Sequence, residues 1–172
     1  MLNFSNDFLL IGWVVGFVDG EGCFSVSFSR KATFTTGIEV RPSFSISQNA
    51  RSKASVEAFL EYFECGFLRF SKSDGTWKYE TRDLTEILEK VVPFFKKYPL
   101  KTSKKQDFEL FVEICSKMKR NEHRSFVGLE EILRLAYQMN ISGKRKLKLS
   151  EQLTFLFHHR NNPNNPNNLN KP

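Results

Sequence analysis

Two stretches of the chain alternate strictly between apolar and polar side chains, and this alternation constrains the fold most. In the segment CFSVSFS, Phe24, Val26 and Phe28 fall on one side and serines fall on the other. After a linker that contains Gly37, the run over residues 38–47 alternates in the same way. Because successive side chains of a strand point to opposite faces, the two runs predict a long antiparallel ribbon with one polar face.

The rest of the chain predicts a second hairpin and several helices. Asp-Gly within SDGT is a tight-turn signal between two short alternating segments. The expected elements are, in chain order, a helix from Asn6 or Asp7 to the glycines at 20 and 22, the ribbon, a helix over 56–63, the hairpin over 68–80, a helix from Asp83 that Pro93 disturbs near its end, a helix from Thr102 or Ser103, and a helix over 129–137. This order, αββαββα with additional C-terminal helices, predicts an α+β fold.

Length and composition favour one domain with a polyanionic partner. The chain has 172 residues and a net charge of +7, and an excess of basic residues commonly accompanies nucleic acid. Three cysteines without a CxxC pair argue against a disulfide framework and a structural zinc site. Since no long apolar stretch is present, no membrane span is expected. We assign residues 1–160 to a single domain and residues 161–172, NNPNNPNNLNKP, to a disordered tail.

The first predicted helix combines two features that are unfavourable for an isolated helix. Gly12, Gly16 and Gly20 recur every four residues, and each glycine inside a helix costs about 0.5–1 kcal/mol relative to alanine. Asp19 and Glu21 lie at the carboxyl end, where the helix dipole disfavours negative charge. Ordinary packing and a solvated acidic turn explain these features individually. The other explanation is a close helix–helix contact in which paired acids bind divalent cations.

The stretch VVGFVDGEG, residues 14–22, resembles the motif of the LAGLIDADG homing endonucleases and related intron maturases. Three later segments resemble the same family in the same order, namely FSISQNARSK at 44–53, YFECGFL at 62–68 and PFFKKYPLKTSKKQDFELF at 93–111. The resemblance covers about residues 8–140. It implies the αββαββα LAGLIDADG fold, in which a curved four-stranded sheet binds the major groove of DNA.

The resemblance also implies roles for individual residues. Glu21 and the carbonyl of Gly20 would bind a catalytic Mg²⁺ or Mn²⁺ ion, and Asp19 would support the helix end and the interface. Gln48 would lie near the metal-bound water or the scissile phosphate, and Lys104 would organise solvent and stabilise charge at the phosphate. For Gln48 a surface position at the end of a strand remains an alternative. For Lys104 the alternative is a basic patch that binds phosphate, because other lysines flank it.

The polar faces of the two hairpins are the predicted DNA-contacting surface. Serine, arginine and lysine side chains can bond to base edges or phosphates. Lys53 is either a phosphate contact or an exposed charge, and a plain solvated face is the alternative for the whole set. The predicted contact residues are Ser25, Ser27, Ser29, Lys31, Glu39, Arg41, Ser43, Ser45, Ser47, Lys53, Arg69, Ser71, Lys78 and Glu80.

A single motif implies a homodimer, because the family needs two motif helices to bring two metal-binding acids together. The predicted interface contains Gly12, Val15, Gly16 and Asp19. The expected activity is metal-dependent, site-specific cleavage of double-stranded DNA at a long, nearly palindromic target. The rival functions are an RNA maturase that binds intron RNA and a non-catalytic DNA-binding protein. The cysteines suggest a reducing, intracellular compartment. The abundance of Phe, Lys and Asn fits codons rich in A and T, which favours a mitochondrion or chloroplast.

Overall fold

A four-stranded antiparallel sheet with strand order β1-β2-β4-β3 forms the centre of the computed structural model, which describes residues 6–141, 143 and 145–162. The elements are α1 (Asp7–Glu21), β1 (Gly22–Arg30), β2 (Ile38–Asn49), α2 (Lys53–Phe63), β3 (Phe67–Ser71), β4 (Thr76–Thr81), α3 (residues 84–97), α4 (Lys104–Lys119), α5 (Phe126–Ala136) and α6 (Leu149–Asn161). The predicted αββαββα order and the α+β class are confirmed. Residues 163–172 of the predicted tail lie outside the described part.

The apolar side of the sheet packs against the helices through stacked aromatic rings. Phe24 of β1 and Phe44 of β2 are fully buried, and their ring centroids lie 4.9 Å apart. On the helix side of the sheet, Phe95 of α3 and Phe111 of α4 pack against Phe24, with ring centroids 5.7 and 5.4 Å from that of Phe24. The predicted alternation therefore holds for the core, since the phenylalanines of the two long strands share one face of the sheet.

Side-chain caps begin two of the helices at the predicted residues. Asn6 Oδ1 accepts a hydrogen bond from the backbone N–H of Leu9 at the start of α1. Asp83 Oδ1 accepts from the N–H groups of Thr85 and Glu86 at the start of α3. Each cap satisfies backbone donors that have no partner within their helix.

Helix α3 is irregular near Pro93, as the sequence predicts. It consists of α-helical Leu84–Glu86, a π-helical turn over Ile87–Val91 and α-helical Val92–Lys97. Pro93 lacks an N–H group and so removes one hydrogen bond of the helix. The wider turn lies directly before Pro93, and the helix ends four residues after the proline, at Lys97.

The outer edge of β1 is covered by side chains from the C-terminal segment. Asn140 Nδ2 donates to the carbonyl of Phe24 at 2.8 Å, and Arg145 Nη1 donates to the carbonyl of Val26 at 3.1 Å. The Arg30 guanidinium lies 3.5 Å from the ring centroid of Phe155 in α6. Because unpaired strand edges invite association with other strands, this segment protects β1.

Candidate functional site

The carboxyl end of α1, the start of β1 and the start of α4 meet at one corner. Gly22 ends the helix and begins the strand, where it pairs with Ile46 of β2. A Cβ atom on Gly22 would lie 2.6 Å from Val18 Cγ1, so glycine allows the close turn. The Lys104 ammonium donates a hydrogen bond to the Gly22 carbonyl. The predicted candidates Glu21 and Lys104 are thereby attached to the same backbone turn.

Asp19 connects α1 to the loop that precedes α4. Its carboxylate accepts from the backbone N–H of Lys101 at 2.7 Å, from the N–H of Thr102 at 3.2 Å and from the Thr102 hydroxyl at 2.8 Å. These three hydrogen bonds use both carboxylate oxygens. The geometry supports a structural role for Asp19 and offsets the unfavourable position of the charge at the helix end.

Gln48 lies near the same corner, on the helix-covered face of β2. Gln48 lies two residues after Ile46, which pairs with Gly22. This end of β2 therefore extends past the start of β1, towards the end of α1. Side chains of a strand alternate, and Gln48 therefore shares the helix-covered face with Ile46, not the polar face with Ser47. It is half-buried and pairs with Trp77 of β4.

An open cleft of about 650 Å³ adjoins this corner. Its lining includes Asp19, Gly20 and Lys104, together with Thr102, Gln138 and Asn140. The last two belong to the turn after α5, which the sequence analysis did not connect with the site. Only the tertiary fold reveals them, because no spacing relates residues 138–140 to the motif helix.

On the polar face, Glu80 is held in a cluster and is not available as a base contact. Ser43 Oγ donates to Glu80 Oε1 at 2.7 Å, and Arg82 Nη2 lies 2.8 Å from Oε2. Lys78 Nζ lies 3.7 Å from Oε1. Glu80 is only 3% exposed, and Ser43 and Ser45 are also buried. The expectation that these three side chains point freely outward is wrong, because neighbouring strands and long cationic side chains cover them.

The pKa of Glu80 is lowered from its ordinary value. Burial alone would raise it, but the hydrogen bond from Ser43 and the charges of Arg82 and Lys78 favour the carboxylate. The group is therefore an anion on a face that carries mostly cations.

Glu39 is the centre of a second cluster, at the far end of the first hairpin. Ser29 Oγ donates to Oε2 at 3.2 Å, Lys31 Nζ donates to Oε1 at 3.3 Å and Arg41 Nη2 lies 2.6 Å from Oε2. Burial would raise the pKa of Glu39, but the hydrogen bonds from Arg41, Lys31 and Ser29 outweigh it and lower the pKa.

The other predicted DNA contacts differ in their exposure. Ser27, Ser47 and Arg69 are exposed, whereas Ser25, Ser71 and Lys78 are half-buried. The same face also presents Cys23 and Phe67, which belong to the cross-strand row of Ser45 and Glu80.

Lys53 contacts two residues of this chain, Glu57 of α2 and Trp77 of β4. Its ammonium lies 2.7 Å from Glu57 Oε1 and 4.7 Å from the ring centroid of Trp77. A phosphate contact by Lys53 would compete with both interactions.

The glycine stripe of α1 faces open space. Among the described residues, no atom lies within 4 Å of a Cβ atom built on Gly12, Gly16 or Gly20. Val15 is half-buried beside the stripe, and Phe8, one turn before Gly12, is 84% exposed. Packing within the part of the chain that the structure describes therefore does not explain the three glycines, and this helix surface can accept a second molecule.

Comparisons with known proteins identify the family to which these features belong. Residues 14–115 match the family model described as LAGLIDADG endonuclease. The chain belongs to the LAGLIDADG endonuclease family. The probable intron-encoded endonuclease 2 of Neurospora crassa is 30% identical over 139 residues, which cover 80% of this chain and 31% of that relative. The chain spans about a third or less of the curated relatives it matches first.

Two solved structures of homing endonucleases resemble the chain over nearly their whole length. I-TnaI has a TM-score of 0.79 at 41% identity, and the match covers 85% of this chain and 97% of that one. The archaeal intron-encoded homing endonuclease I-Vdi141I, solved in complex with DNA, has a TM-score of 0.83 at 28% identity and covers 91% of this chain and 100% of that one. These matches confirm the predicted family and fold.

The LAGLIDADG motif of this chain provides hard oxygen donors for a metal ion. Glu21 and Gly20 are exposed at the end of α1, and a carboxylate with a backbone carbonyl suits Mg²⁺, which prefers oxygen ligands and retains several waters. Among the described residues, no three His, Cys, Asp or Glu side chains form a metal-binding group. A carboxylate and a carbonyl together supply only part of the octahedral ligand set of Mg²⁺. No helix in the described ranges is long and apolar enough to cross a membrane.

Proposed function

We propose that the chain is a divalent-metal-dependent, site-specific endonuclease of double-stranded DNA that acts as a homodimer. One observation carries the proposal: the exposed Glu21 and the ammonium of Lys104 share the Gly22 turn, beside the sheet's polar face. DNA that lies along that face brings its backbone to the corner. The DNA complex of the similar I-Vdi141I supports this choice of partner.

The metal-binding residues in this proposal are Glu21 and Gly20. A bound Mg²⁺ or Mn²⁺ ion would supply an activated water and stabilise the leaving oxygen. Lys104 holds its positive charge at the corner through Gly22 and stabilises charge on the phosphate. Asp19 fixes the end of α1 against the loop before α4. Gln48 orients water from the end of β2.

Two observations support the homodimer: Glu21 and Gly20 supply only part of the ligands of a metal ion, and the glycine stripe of α1 is exposed. Two copies of α1 in contact through Gly12, Gly16 and Val15 would place two Glu21 carboxylates at one centre. A two-fold axis between the copies makes the DNA target nearly palindromic. The glycines then compensate their cost in helix stability through close packing of the two helices.

We further propose that an intron encodes this protein in an organelle, either a mitochondrion or a chloroplast. The description of the Neurospora crassa relative as intron-encoded supports the first part. The A/T-rich codon usage that the Phe, Lys and Asn content suggests supports the second.

Selection of cleaved sites from a randomised DNA library in Mg²⁺ tests the function directly. We expect one long site with two-fold symmetry, cut on both strands. Glu21→Gln keeps the size of the side chain but removes its charge, so cleavage should be lost while binding of the same duplex in Ca²⁺ persists. Glu61→Gln, at an exposed position of α2, is the matched control and should cleave normally.

Other outcomes would assign a different function. Wild-type cleavage by Glu21→Gln would remove the metal site from this motif. Specific binding without cleavage in Mg²⁺ or Mn²⁺ would indicate a non-catalytic DNA-binding protein. Preferential binding of the host intron RNA, with support of splicing, would indicate a maturase. Sites without two-fold symmetry would contradict the homodimer.

A further inference from the structure

The polar face of the sheet carries the same four-residue arrangement twice. In each arrangement a glutamate accepts from a serine and is flanked by a lysine and an arginine. The first group consists of Ser43, Glu80, Lys78 and Arg82. The second consists of Ser29, Glu39, Lys31 and Arg41. We call them the Glu80 group and the Glu39 group.

In both groups the acid is covered and the arginine is exposed. The side chain of Glu80 is 3% exposed, whereas that of Arg82 is 50% exposed. The corresponding values are 16% for Glu39 and 53% for Arg41. A ligand that approaches this face therefore meets the guanidinium groups and not the carboxylates.

An acid at this place is unfavourable for simple attraction of DNA. Each carboxylate cancels one of two local cations, and burying a carboxylate costs free energy unless hydrogen bonds and ion pairs compensate. Glu80 Oε2 accepts no hydrogen bond from any residue that the structure describes, although Arg82 lies 2.8 Å away in an ion pair. A neutral or positively charged residue in place of the glutamate would let the group bind phosphates better. The arrangement instead restricts the orientation of the arginine.

Restricting an arginine favours base recognition. The guanidinium has five N–H donors in a rigid plane, so a contact of one nitrogen with Glu80 leaves donors for a second partner. The most informative partner in the major groove is guanine, which an arginine binds through O6 and N7. An arginine whose position an ion pair already restricts loses less conformational entropy when it binds a base.

We propose that Arg82 is a guanine-reading residue and that Glu80 is the positioning residue that orients it, as Glu39 does for Arg41. This inference rests on the proposed function, since it needs DNA on the polar face. Arg82 follows the last residue of β4, and the pairing of Phe44 with Thr81 places it beside Ser43 at the boundary of the sheet. Glu80 acts through Arg82 and makes no base contact of its own.

The test compares site preference with non-specific affinity for wild-type protein, Glu80→Gln, Arg82→Ala and the double variant. Sites are selected from randomised DNA in Ca²⁺, and binding to unrelated duplex is measured at several salt concentrations. Arg82→Ala should reduce the preference for guanine at one position per half-site by about tenfold. Glu80→Gln should reduce it at the same position, yet bind unrelated DNA equally well or better, because a negative charge is lost.

The double variant and two controls separate positioning from other roles. In the Arg82→Ala background, Glu80→Gln should change the guanine preference no further. Ser43→Ala, which keeps every charge but removes the hydrogen bond to Oε1, should reduce the preference in the same direction. Glu130→Gln removes a carboxylate that pairs with Arg134 on α5, at 2.7 Å, and should leave site preference unchanged.

Each alternative has a distinct result. If Glu80 has only a structural role, the Glu80→Gln variant should have a lower melting temperature and should bind all duplexes equally more weakly. An additive effect of the two substitutions would mean that Glu80 contacts a base directly. A uniform loss of affinity in Arg82→Ala would make Arg82 a phosphate contact. Each of these overturns the inference while wild-type site selection still succeeds. If wild-type protein selects no site, the proposed function itself fails.

Discussion

The ammonium of Lys104 donates a hydrogen bond to the backbone carbonyl of Gly22, the residue that follows Glu21. The neighbouring Lys105 instead points away from the corner, with its side chain 57% exposed and its ammonium 3.8 Å from Glu109 Oε1. Two adjacent lysines that the sequence cannot distinguish therefore have different surroundings. This difference supports Lys104, and not Lys105, as the residue that acts on the scissile phosphate.

Replacing Lys104 should impair cleavage more than binding. Lys104→Met keeps the length and apolar part of the side chain but removes the charge, so we expect a loss of about 100-fold in the single-turnover cleavage rate. Duplex affinity in Ca²⁺ should fall only a few fold. Lys105→Met removes a similar charge one residue away and serves as the control. Equal loss of cleavage in both variants would indicate general phosphate binding by the lysine cluster.

A substitution at Asp19 should mainly affect stability. Asp19→Asn weakens hydrogen bonds to Lys101 and Thr102, and loss of charge-assisted hydrogen bonds costs about 1–3 kcal/mol. Thermal unfolding should show a decrease of several degrees in melting temperature, whereas Asp7→Asn at the opposite end of α1 should have a smaller effect. An unchanged melting temperature with complete loss of cleavage would make Asp19 a metal ligand.

The sequence predicts the strands well because alternation reports directly on burial. Phe24 and Phe44 lie in the core as expected. Alternation cannot show which polar side chains are covered by neighbours across the sheet. For this reason it predicts that Ser43, Ser45 and Glu80 are exposed, although they are buried. Which polar side chains are covered depends on strand order and register, and these place β4 beside β2. The ion pair between Arg82 and Glu80, by contrast, joins two residues that are two positions apart on one face of the same chain segment.

Helix α6 had no clear sequence signal. Its buried side chains are Gln152 and Leu156, so it lacks the broad apolar stripe that predicts a surface helix. It packs instead through partly buried aromatic and cationic side chains, such as Phe155 against Arg30. The π-helical turn before Pro93 likewise results from a local backbone adjustment that a periodic pattern does not reveal.

The three cysteines provide a chemical footprint of the polar face. Cys65 and Cys115 are buried, and burial raises the pKa of both thiols, that of Cys115 to about 12. Cys23 is half-buried on the polar face. Because the thiolate is the reactive form, we expect a thiol reagent to label Cys23 first in the folded protein.

Specific DNA should slow this labelling. Mass spectrometry after a timed reaction measures the modification of each cysteine with and without duplex in Ca²⁺. A random duplex at a concentration too low for non-specific binding is the control. Labelling of Cys23 that is unaffected by saturating target DNA would contradict a DNA interface on this face. Faster labelling of Cys115 would contradict its burial.

The interface prediction can be tested by a substitution with opposite effects on monomer and dimer. Gly16→Leu replaces a mid-helix glycine that costs about 0.5–1 kcal/mol, and in one chain the new side chain enters open space. The monomer should therefore become more stable to heat. A partner helix packed on the stripe would clash with leucine, so the dimer should dissociate at higher protein concentrations than in the wild type. Sedimentation and melting curves at several concentrations measure both effects.

The exposed end of the same helix supplies a second, independent variant. Phe8 is 84% exposed and lies on the stripe one turn before Gly12, so Phe8→Ser removes apolar surface that a partner helix would bury. It should weaken dimerisation while leaving the melting temperature of the monomer nearly unchanged. Ala54→Leu, at an exposed position of α2, controls for the effect of adding leucine to a helix surface. If Gly16→Leu and Phe8→Ser both dimerise as tightly as the wild type, the two copies of α1 do not form the interface, and the paired Glu21 carboxylates need another arrangement.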